Sequence, residues 1–268
     1  MDKPTPVALT IAGSDSGGGA GIQADLKTFH AFQVFGCSAV TAVTAQNTIG
    51  IDAIHTIPDT VVRAQIDAVA TDLLPLAVKT GMLANANLVY TVAERIRHHS
   101  LKNYILDPVM VSSTGDQILD EEAVEVMRKE LIPLATMVTP NIHEASILTQ
   151  KPLEHIDDFE VAGRELLKMG AQAALIKGGH LKGSEAVDLL LTDQGCRVWS
   201  RPRLNIRAGH GTGCTLSAAI AAGLALGQTL LNATDAGVNF VAQALASALD
   251  LGTGYSPINH FNSAFTKK

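Results

Sequence analysis

Apolar runs alternate with amphipathic segments along almost the whole 268-residue chain. Residues 7–12, 37–45 and 173–177 are rich in small, branched and apolar side chains, which is typical of strands buried on both faces. Residues 86–98, which lie between two such runs, have the apolar spacing of a helix with one buried side. Strands that alternate with helices predict βαβ units on a mainly parallel sheet, and therefore an α/β fold.

The alternation changes near the end of the chain. Two strand-like runs within residues 186–199 flank a short turn segment, residues 192–195, which predicts an antiparallel hairpin. Two long alanine-rich helices are expected to follow, over residues 211–226 and 230–249. Because no linker, repeat or low-complexity tract interrupts the pattern, residues 1–268 are predicted to form a single domain.

Composition narrows the classes of function. Hydrophobic residues make up 47% and charged residues 17% of the chain, which excludes a disordered protein. The formal net charge is −6 and no basic stripe occurs, so a nucleic-acid partner is not expected. No run of about 18 apolar residues occurs, so no membrane span is expected either. Cys37, Cys196 and Cys214 form no CxxC pair, and so sparse a set is typical of a reducing compartment, which predicts a cytoplasmic protein.

A loop with five glycines, residues 13–21, follows the first predicted strand. Ligands bind at the carboxyl ends of strands in an open α/β sheet, so this loop is predicted to lie at a small-molecule site. Residues 19–24 match the dinucleotide pattern G-x-G-x-x-G/A, but residues 26–51 lack the acidic residue that such a site needs. The phosphate-binding pattern G-x-x-x-x-G-K-S/T is absent. An NAD-dependent dehydrogenase therefore stays open only as a weakly supported alternative.

A second glycine-rich segment, residues 209–215, precedes an alanine-rich helix. Its alternating glycines allow several N–H groups to converge, and the helix N-terminus adds about half a positive charge. Gly211, Thr212 and Gly213 are therefore predicted to form an anion site. Cys214 lies in the first turn of the helix, where a thiol's pKa is lowered, so it is a candidate base or nucleophile. An inert packing role for Cys214 is the alternative.

Four polar residues follow predicted strands on the side where ligands bind: Asp107, Asn141, Glu144 and Lys177. Asn141 and Glu144 are three residues apart and so share one face of a helix. Carboxylates with an amide suit a Mg²⁺ ion that keeps most of its waters and grips substrate phosphates. A nearby lysine suits a phosphate as a point charge. Taken alone, each acid also has a purely structural explanation: Asp107 as an acidic residue of a loop, and Glu144 as a negative charge at the start of a helix.

Several motifs, taken together and in order, resemble those of hydroxymethylpyrimidine/phosphomethylpyrimidine kinases. The resemblance spans essentially the whole chain. The motifs are residues 9–28, Thr44-Ala-Gln-Asn-Thr48, Lys79-Thr-Gly-Met-Leu83, Leu106-Asp-Pro-Val-Met110, Thr139-Pro-Asn-Ile-His-Glu-Ala145, Ile176-Lys-Gly-Gly-His180, Gly209-His-Gly-Thr-Gly-Cys-Thr215 and Tyr255-Ser-Pro-Ile-Asn-His-Phe261.

The resemblance implies a ribokinase-like three-layer α/β/α sandwich that forms a homodimer. It also implies two successive phosphoryl transfers from ATP with Mg²⁺, first to 4-amino-5-hydroxymethyl-2-methylpyrimidine and then to its monophosphate, in thiamin biosynthesis. The loop ending in Cys214 would form the anion hole, and Cys214 would take the place of the aspartate base of sugar kinases. Thr139, Asn141 and Lys177 are then expected to contact ATP. Asp107 and Glu144 are expected to hold Mg²⁺.

Five positions match those that line the pyrimidine pocket of such kinases: Gly13, Asp25, Gln46, Met82 and Val109. The Gln46 amide offers an acceptor and a donor side by side, which complements the exocyclic amine and ring nitrogen of a 4-aminopyrimidine. A pyridoxal or pyridoxine kinase on the same fold is the nearest alternative, although its ring carries a hydroxyl in place of that amine. A non-catalytic binding protein is a further alternative, but it would not need the anion loop and the charged residues together.

Overall fold

The computed structural model describes residues 5–110, 119–179, 183–204 and 208–262. Its central element is a nine-stranded sheet. The strands are β1 (Val7–Asp15), β2 (Phe35–Gln46), β3 (Ile51–Thr56), β4 (Ala77–Thr80), β5 (Tyr104–Leu106), β6 (Met137–Val138), β7 (Ala173–Lys177), β8 (Glu185–Thr192) and β9 (Gly195–Pro202). They lie in the order β3-β2-β1-β4-β5-β6-β7-β8-β9. In this order, the neighbouring strands from β2 to β7 pair in parallel, which confirms the predicted sheet. The pairs β3–β2, β7–β8 and β8–β9 are antiparallel.

Helices cover both faces of this sheet. They are α1 (Gly21–Ala31), α2 (Asp59–Asp72), α3 (Ala86–His98), α4 (Glu121–Val126), α5 (Ile142–Thr149), α6 (Asp158–Lys168), α7 (Thr212–Ala225) and α8 (Leu230–Ala246). Helices α2 to α6 pack on one face, and α1, α7 and α8 on the other. Successive buried residues of β7 point alternately into the two cores, as Leu175 and Ile176 do. The result is the predicted three-layer α/β/α sandwich.

The sequence prediction missed strand β3, which forms one edge of the sheet. Its residues are mostly exposed and pair antiparallel with β2, so the strand carries no apolar run that would reveal it. The apolar spacing of residues 20–35 predicts a first helix that reaches residue 35, but the helix ends at Ala31, because Phe35 already begins β2. The predicted hairpin is confirmed by β8 and β9, in which Thr192 pairs with Gly195.

Residues 121–131 are predicted from the sequence to form one α-helix that stops before Pro133, but the segment is more irregular. Helix α4 continues into a π-helical turn, Met127–Leu131, and then into a 3₁₀ turn, Ile132–Leu134. Pro133 lies in the last turn and cannot donate a helical hydrogen bond, which gives a physical reason for the end of the helix. This segment packs on α3, away from the ligand-binding edge of the sheet.

A small two-stranded sheet brings the C-terminal tail to that edge. Strand β10 (Ala208–His210) pairs in parallel with β11 (Ser256–Pro257). Strand β10 leads directly into α7, so the tail lies beside the second glycine-rich segment. None of the helices within the four described ranges combines the length and the apolar character needed to cross a membrane.

Candidate active site

A cavity of about 930 Å³ lies at the carboxyl ends of the parallel strands. Both glycine-rich segments line it, together with residues at or just after the ends of β1, β4, β5 and β7. Twelve of the fourteen residues that the sequence placed at the site line this cavity. They are Gly13, Gln46, Met82, Asp107, Val109, Asn141, Glu144, Lys177, Gly211, Thr212, Gly213 and Cys214. The carboxyl ends of parallel strands meet at one edge, which explains why residues so distant in sequence converge here.

Asp25 and Thr139, the other two residues that the sequence placed at the site, are fully buried and do not line this cavity. The Asp25 carboxylate accepts hydrogen bonds from Lys79 Nζ, at 2.9 and 3.0 Å, and from Thr10 Oγ1, at 2.6 Å. Thr139 Oγ1 donates to Asp107 Oδ1 at 3.2 Å. A buried carboxylate requires such partners, so each residue supports a neighbour that does line the cavity. Lys79 is the residue beside Asp25 that sequence reasoning overlooked.

The first glycine-rich loop folds around the side chain of Asp15. The N–H of Gly17 donates to Asp15 Oδ1 at 2.8 Å, and those of Gly19 and Ala20 donate to Oδ2 at 3.0 and 2.8 Å. Burial raises the pKa of Asp15, but hydrogen bonds from His210 and from the loop outweigh it and hold the pKa below its usual range. These loop N–H groups are hydrogen-bonded to the Asp15 carboxylate of the protein itself. They are therefore not available to bind the phosphates of a dinucleotide, which argues against a dinucleotide site at this loop.

The two glycine-rich segments are in direct contact. His210 Nε2 lies 2.9 Å from Asp15 Oδ2, across 195 residues of sequence. A Cβ atom on Gly211 would lie only 1.8 Å from the carbonyl oxygen of Gly19, and Gly211 has a φ of +82°. Only glycine permits this close approach together with this backbone conformation. Asp15 and His210 were not predicted as site residues, although both lie within the two glycine-rich segments that the sequence highlighted.

Helix α7 begins at Thr212, with Gly211 as its N-cap, and its first turn faces the cavity. The N–H groups of a first helical turn have no partner within the helix, and they carry the positive end of the helix dipole. A Cβ atom on Gly213 would lie 3.1 Å from Lys177 Nζ and 4.0 Å from Asp107 Oδ2. The helix N-terminus therefore lies beside the Lys177 ammonium, and free N–H groups next to a cation favour the binding of an anion.

The environment of Cys214 differs from the sequence expectation. Burial raises the pKa of Cys214 to about 11, although Lys79 and a hydrogen bond from the Gly21 backbone act in the opposite direction. The expectation that the helix N-terminus lowers this pKa was therefore wrong, because the cost of desolvating the thiolate is larger. Cys214 is a neutral thiol at pH 7 in the protein without ligands.

Asp107, Glu144 and Lys177 form a buried charged group next to the first turn of α7. Lys177 Nζ lies 3.0 Å from Asp107 Oδ1, and Ser217 Oγ donates to Asp107 Oδ2 at 3.2 Å. Burial raises the pKa of Asp107, but Lys177 and Lys79 outweigh it and lower the pKa. Burial raises the pKa of Glu144 to about 7, with Lys177 opposing this shift and the negative charge of Asp107 adding to it.

Asn141 and Glu144 begin helix α5 as a capping box. Asn141 Oδ1 accepts from the N–H of Glu144 at 2.9 Å, and Glu144 Oε2 accepts from the N–H of Asn141 at 2.7 Å. The helix-start interpretation of Glu144 is thus confirmed. Both residues also line the cavity, so the capping box holds the Glu144 carboxylate in place beside Lys177.

Gln46 and Met82 line the part of the cavity next to the first glycine-rich loop. Gln46 ends strand β2, and its amide lies between Thr44 Oγ1 and His210 Nε2. A Cβ atom on Gly13 would lie 3.3 Å from Met82 Sδ, so a larger residue at position 13 would crowd this wall. Cys214 and the first turn of α7 line the same cavity.

The cavity therefore joins a pocket for a small organic molecule to a cationic, N–H-rich region suited to phosphate groups. On an α/β/α sandwich, with carboxylates beside that region, the fold and site define an enzyme that transfers a phosphoryl group to a small molecule.

Comparisons with known proteins give the family. A family model described as phosphomethylpyrimidine kinase matches residues 15–259. The hydroxymethylpyrimidine/phosphomethylpyrimidine kinase of Bacillus subtilis (strain 168) is 47% identical over 255 residues, which cover 95% of this chain and 94% of that protein. The chain belongs to the phosphomethylpyrimidine kinase family, which confirms the resemblance found in its motifs.

Solved structures agree on the fold. The phosphomethylpyrimidine kinase of Clostridium difficile 630 is 42% identical, with a TM-score of 0.80 over 89% of this chain and 98% of that chain. An ADP complex of the pyridoxal kinase of Bacillus subtilis is 38% identical, with a TM-score of 0.89 over 96% of this chain and 97% of that chain. The fold is ribokinase-like, as the resemblance implied.

Proposed function

We propose that the protein transfers a phosphoryl group from ATP to 4-amino-5-hydroxymethyl-2-methylpyrimidine, and a second to the resulting monophosphate, in thiamin biosynthesis. The observation that carries this proposal is the contact between the α7 N-terminus and the Asp107–Lys177 pair, in the same cavity as Gln46. The name of the family and of its Bacillus subtilis member supports the choice of substrate. The ADP complex of the related pyridoxal kinase supports ATP as the donor.

The nucleotide phosphates would lie between Lys177 and the first turn of α7. Lys177 contributes a point charge, and Gly211, Thr212 and Gly213 contribute N–H groups aimed at the transferred phosphoryl group. Asn141 lines the same region and is proposed to contact ATP. Because these dipoles are held by the fold, they stabilise developing charge without reorganising during the reaction.

Asp107 and Glu144 are proposed to hold Mg²⁺ through its waters. Within the described ranges no three His, Cys, Asp or Glu side chains are grouped as a metal site, so a cage made only of protein ligands is not expected there. A hydrated Mg²⁺ bound by one or two carboxylates and by substrate phosphates needs no such cage. Burial is the main cause of the raised pKa of Glu144, and the negative charge of Asp107 adds to it; a divalent cation beside the two carboxylates would offset both effects. When bound, the ion would neutralise phosphate charge.

Cys214 is proposed to act as the base of the first transfer. In its deprotonated, thiolate form, Cys214 Sγ accepts the hydroxymethyl proton as the substrate oxygen forms a bond to the γ-phosphorus and the bond from that phosphorus to the ADP oxygen breaks, which leaves a neutral thiol, the substrate monophosphate and ADP. In the second transfer the attacking oxygen belongs to a phosphate that is already ionised, since the second pKa of a phosphate monoester is about 6. The second transfer therefore needs the base less than the first.

Gln46 is proposed to recognise the aminopyrimidine edge, with Gly13, Met82 and Val109 as the remaining pocket wall. A pyridoxal kinase activity is the second candidate, and it is favoured by the close structural similarity to the Bacillus subtilis pyridoxal kinase. The pyridoxal ring carries a hydroxyl where the aminopyrimidine carries an amine, so the two substrates place different demands on the Gln46 amide.

We also propose a cytoplasmic homodimer built from single-domain subunits, with no nucleic-acid or membrane partner. All three cysteines are free thiols, which supports a reducing compartment, and the homodimer rests on the family resemblance alone. Light scattering coupled to gel filtration tests the dimer: a mass near 56 kDa, twice the 28.1 kDa of the chain, is expected.

The decisive experiment offers the purified protein Mg-ATP with either the aminopyrimidine or pyridoxal and identifies the products by mass spectrometry. A pyrimidine monophosphate followed by a diphosphate is the expected result. Pyridoxal phosphate alone, with the pyrimidine untouched, would overturn the assigned substrate while leaving the phosphoryl-transfer site in place.

A further inference from the structure

The side-chain amide of Gln46 lies between two hydrogen-bonding neighbours that decide its orientation. Gln46 Oε1 lies 3.0 Å from Thr44 Oγ1, and Gln46 Nε2 lies 3.4 Å from His210 Nε2. The oxygen and nitrogen of an amide are nearly indistinguishable by shape, so their assignment follows from the partners they meet. The partners of Thr44 and His210 decide the assignment here.

His210 acts as a donor at Nε2. This atom lies 2.9 Å from Asp15 Oδ2, and the Asp15 carboxylate already accepts N–H groups from Gly17, Gly19 and Ala20. An ionised carboxylate can only accept hydrogen bonds, so the hydrogen between the two side chains belongs to His210 Nε2. An amide NH₂ group facing that nitrogen would set one donor against another.

Thr44 leads to the same conclusion independently. Its hydroxyl has a single hydrogen, and Thr44 Oγ1 lies 3.0 Å from the carbonyl oxygen of Ser14 as well as 3.0 Å from Gln46 Oε1. Both neighbours are acceptors, and one hydrogen cannot satisfy both. The opposite orientation of the amide has neither conflict, because Nε2 then donates to Thr44 Oγ1, while Oε1 lies beside a His210 N–H whose hydrogen is directed mainly at Asp15, so that an acceptor replaces a second donor there.

We propose that the Asp15–His210 pair, together with Thr44, fixes the direction of the Gln46 amide and thereby sets the hydrogen-bonding pattern that the site requires of its substrate, so that His210 is a positioning residue for ring selection. This inference rests on the proposed aminopyrimidine kinase function. The amide offers its acceptor on the His210 side, for the exocyclic amine, and its remaining N–H on the Thr44 side, for the ring nitrogen. A 4-oxo pyrimidine has the reverse pattern, with a carbonyl in place of the amine and a ring N–H, so it meets acceptor with acceptor and donor with donor.

The test is a comparison of kcat/KM for the aminopyrimidine and for its 4-oxo analogue, 5-hydroxymethyl-2-methylpyrimidin-4-one. A site built around a hydrogen-bonding pattern rejects the mismatched ring strongly. His210→Phe removes the N–H and leaves only Thr44 to orient the amide, so turning the amide costs less and the preference for the aminopyrimidine is expected to fall by about tenfold. His210→Gln keeps an N–H donor within reach of Asp15 and is expected to restore most of the preference. His30→Phe, a change at an exposed residue of α1, is the matched control and should leave the preference unchanged.

An unchanged preference in a folded His210→Phe protein would overturn the inference, as would failure of His210→Gln to differ from His210→Phe. A merely structural role would lower both rates equally and leave their ratio as it was.

If His210→Phe does not fold, neutron diffraction from deuterated wild-type crystals decides: deuterium on the Gln46 atom facing Thr44 supports the proposal, and deuterium on the atom facing His210 refutes it. If the wild-type protein phosphorylates neither pyrimidine, the proposed function fails; if it phosphorylates the aminopyrimidine and the ratio does not move, only this inference fails.

Discussion

Replacing Cys214 by alanine should affect the two phosphoryl transfers unequally. The substitution removes the thiol but keeps the N–H groups of α7, so phosphate binding should persist. A positioned general base contributes about 10²–10⁴-fold to a rate. We therefore expect Cys214→Ala to slow the first transfer by about 10²-fold or more at pH 8. The second transfer, whose nucleophile is already ionised, should change by no more than about threefold.

The pKa of about 11 for Cys214 adds a second expectation. A base acts in its deprotonated form, so the first transfer should accelerate as pH rises while the thiolate is the minor species. From a pKa of about 11, the thiolate fraction is about 10⁻⁴ at pH 7 and about 10⁻² at pH 9, which predicts a rise of about 100-fold. Cys214→Ala should abolish this rise, and the second transfer should lack it in the wild-type protein.

Single-turnover kinetics measures each transfer separately, with the free pyrimidine or its monophosphate as substrate and rapid quenching at pH 7, 8 and 9. Cys214→Ser is the matched control, because a serine hydroxyl has a still higher pKa and should behave as alanine does. Equal losses in both transfers would refute the base role, and so would a wild-type first transfer that is independent of pH.

Three further predictions concern specificity and stability. Gln46→Leu should lower kcat/KM for the pyrimidine by about 10–100-fold with the KM for ATP intact, because two hydrogen bonds are lost; unchanged pyrimidine kinetics would contradict this. Lys79→Met should destabilise the protein by about 3–5 kcal/mol in urea unfolding, because Asp25 is left buried without its cation. Burial raises the pKa of Asp25, so this loss should grow as pH rises from 5 to 8, and Lys79→Met combined with Asp25→Asn should recover most of it. Gly211→Ala should lower Tm by about 5 °C in calorimetry, because a Cβ would lie 1.8 Å from a carbonyl oxygen of the first loop, whereas Gly209→Ala, in open space, should not.

Much of the fold was predictable because its signals are local. A parallel sheet covered on both faces requires apolar runs separated by helices, and helix α3 was predicted with its observed ends, Ala86–His98. The edge strand β3 was missed because an exposed strand has no such run. The meeting of Asp107, Asn141, Glu144 and Lys177 was predictable for a related reason, since residues that follow parallel strands lie at one edge of the sheet. The pocket positions of Gln46, Met82 and Val109, in contrast, were expected only from the family resemblance.

The sequence by itself determined which elements form, in what order, and which glycine-rich segments and charged residues reach the ligand-binding edge. Only the tertiary structure decided what those residues do to one another. Asp15 binds its own loop and His210, Asp25 lies behind the cavity wall bound to Lys79, and Cys214 has a raised pKa. Each of these outcomes depends on burial and on partners up to 195 residues away in the chain, and neither quantity is encoded in the local pattern of residues.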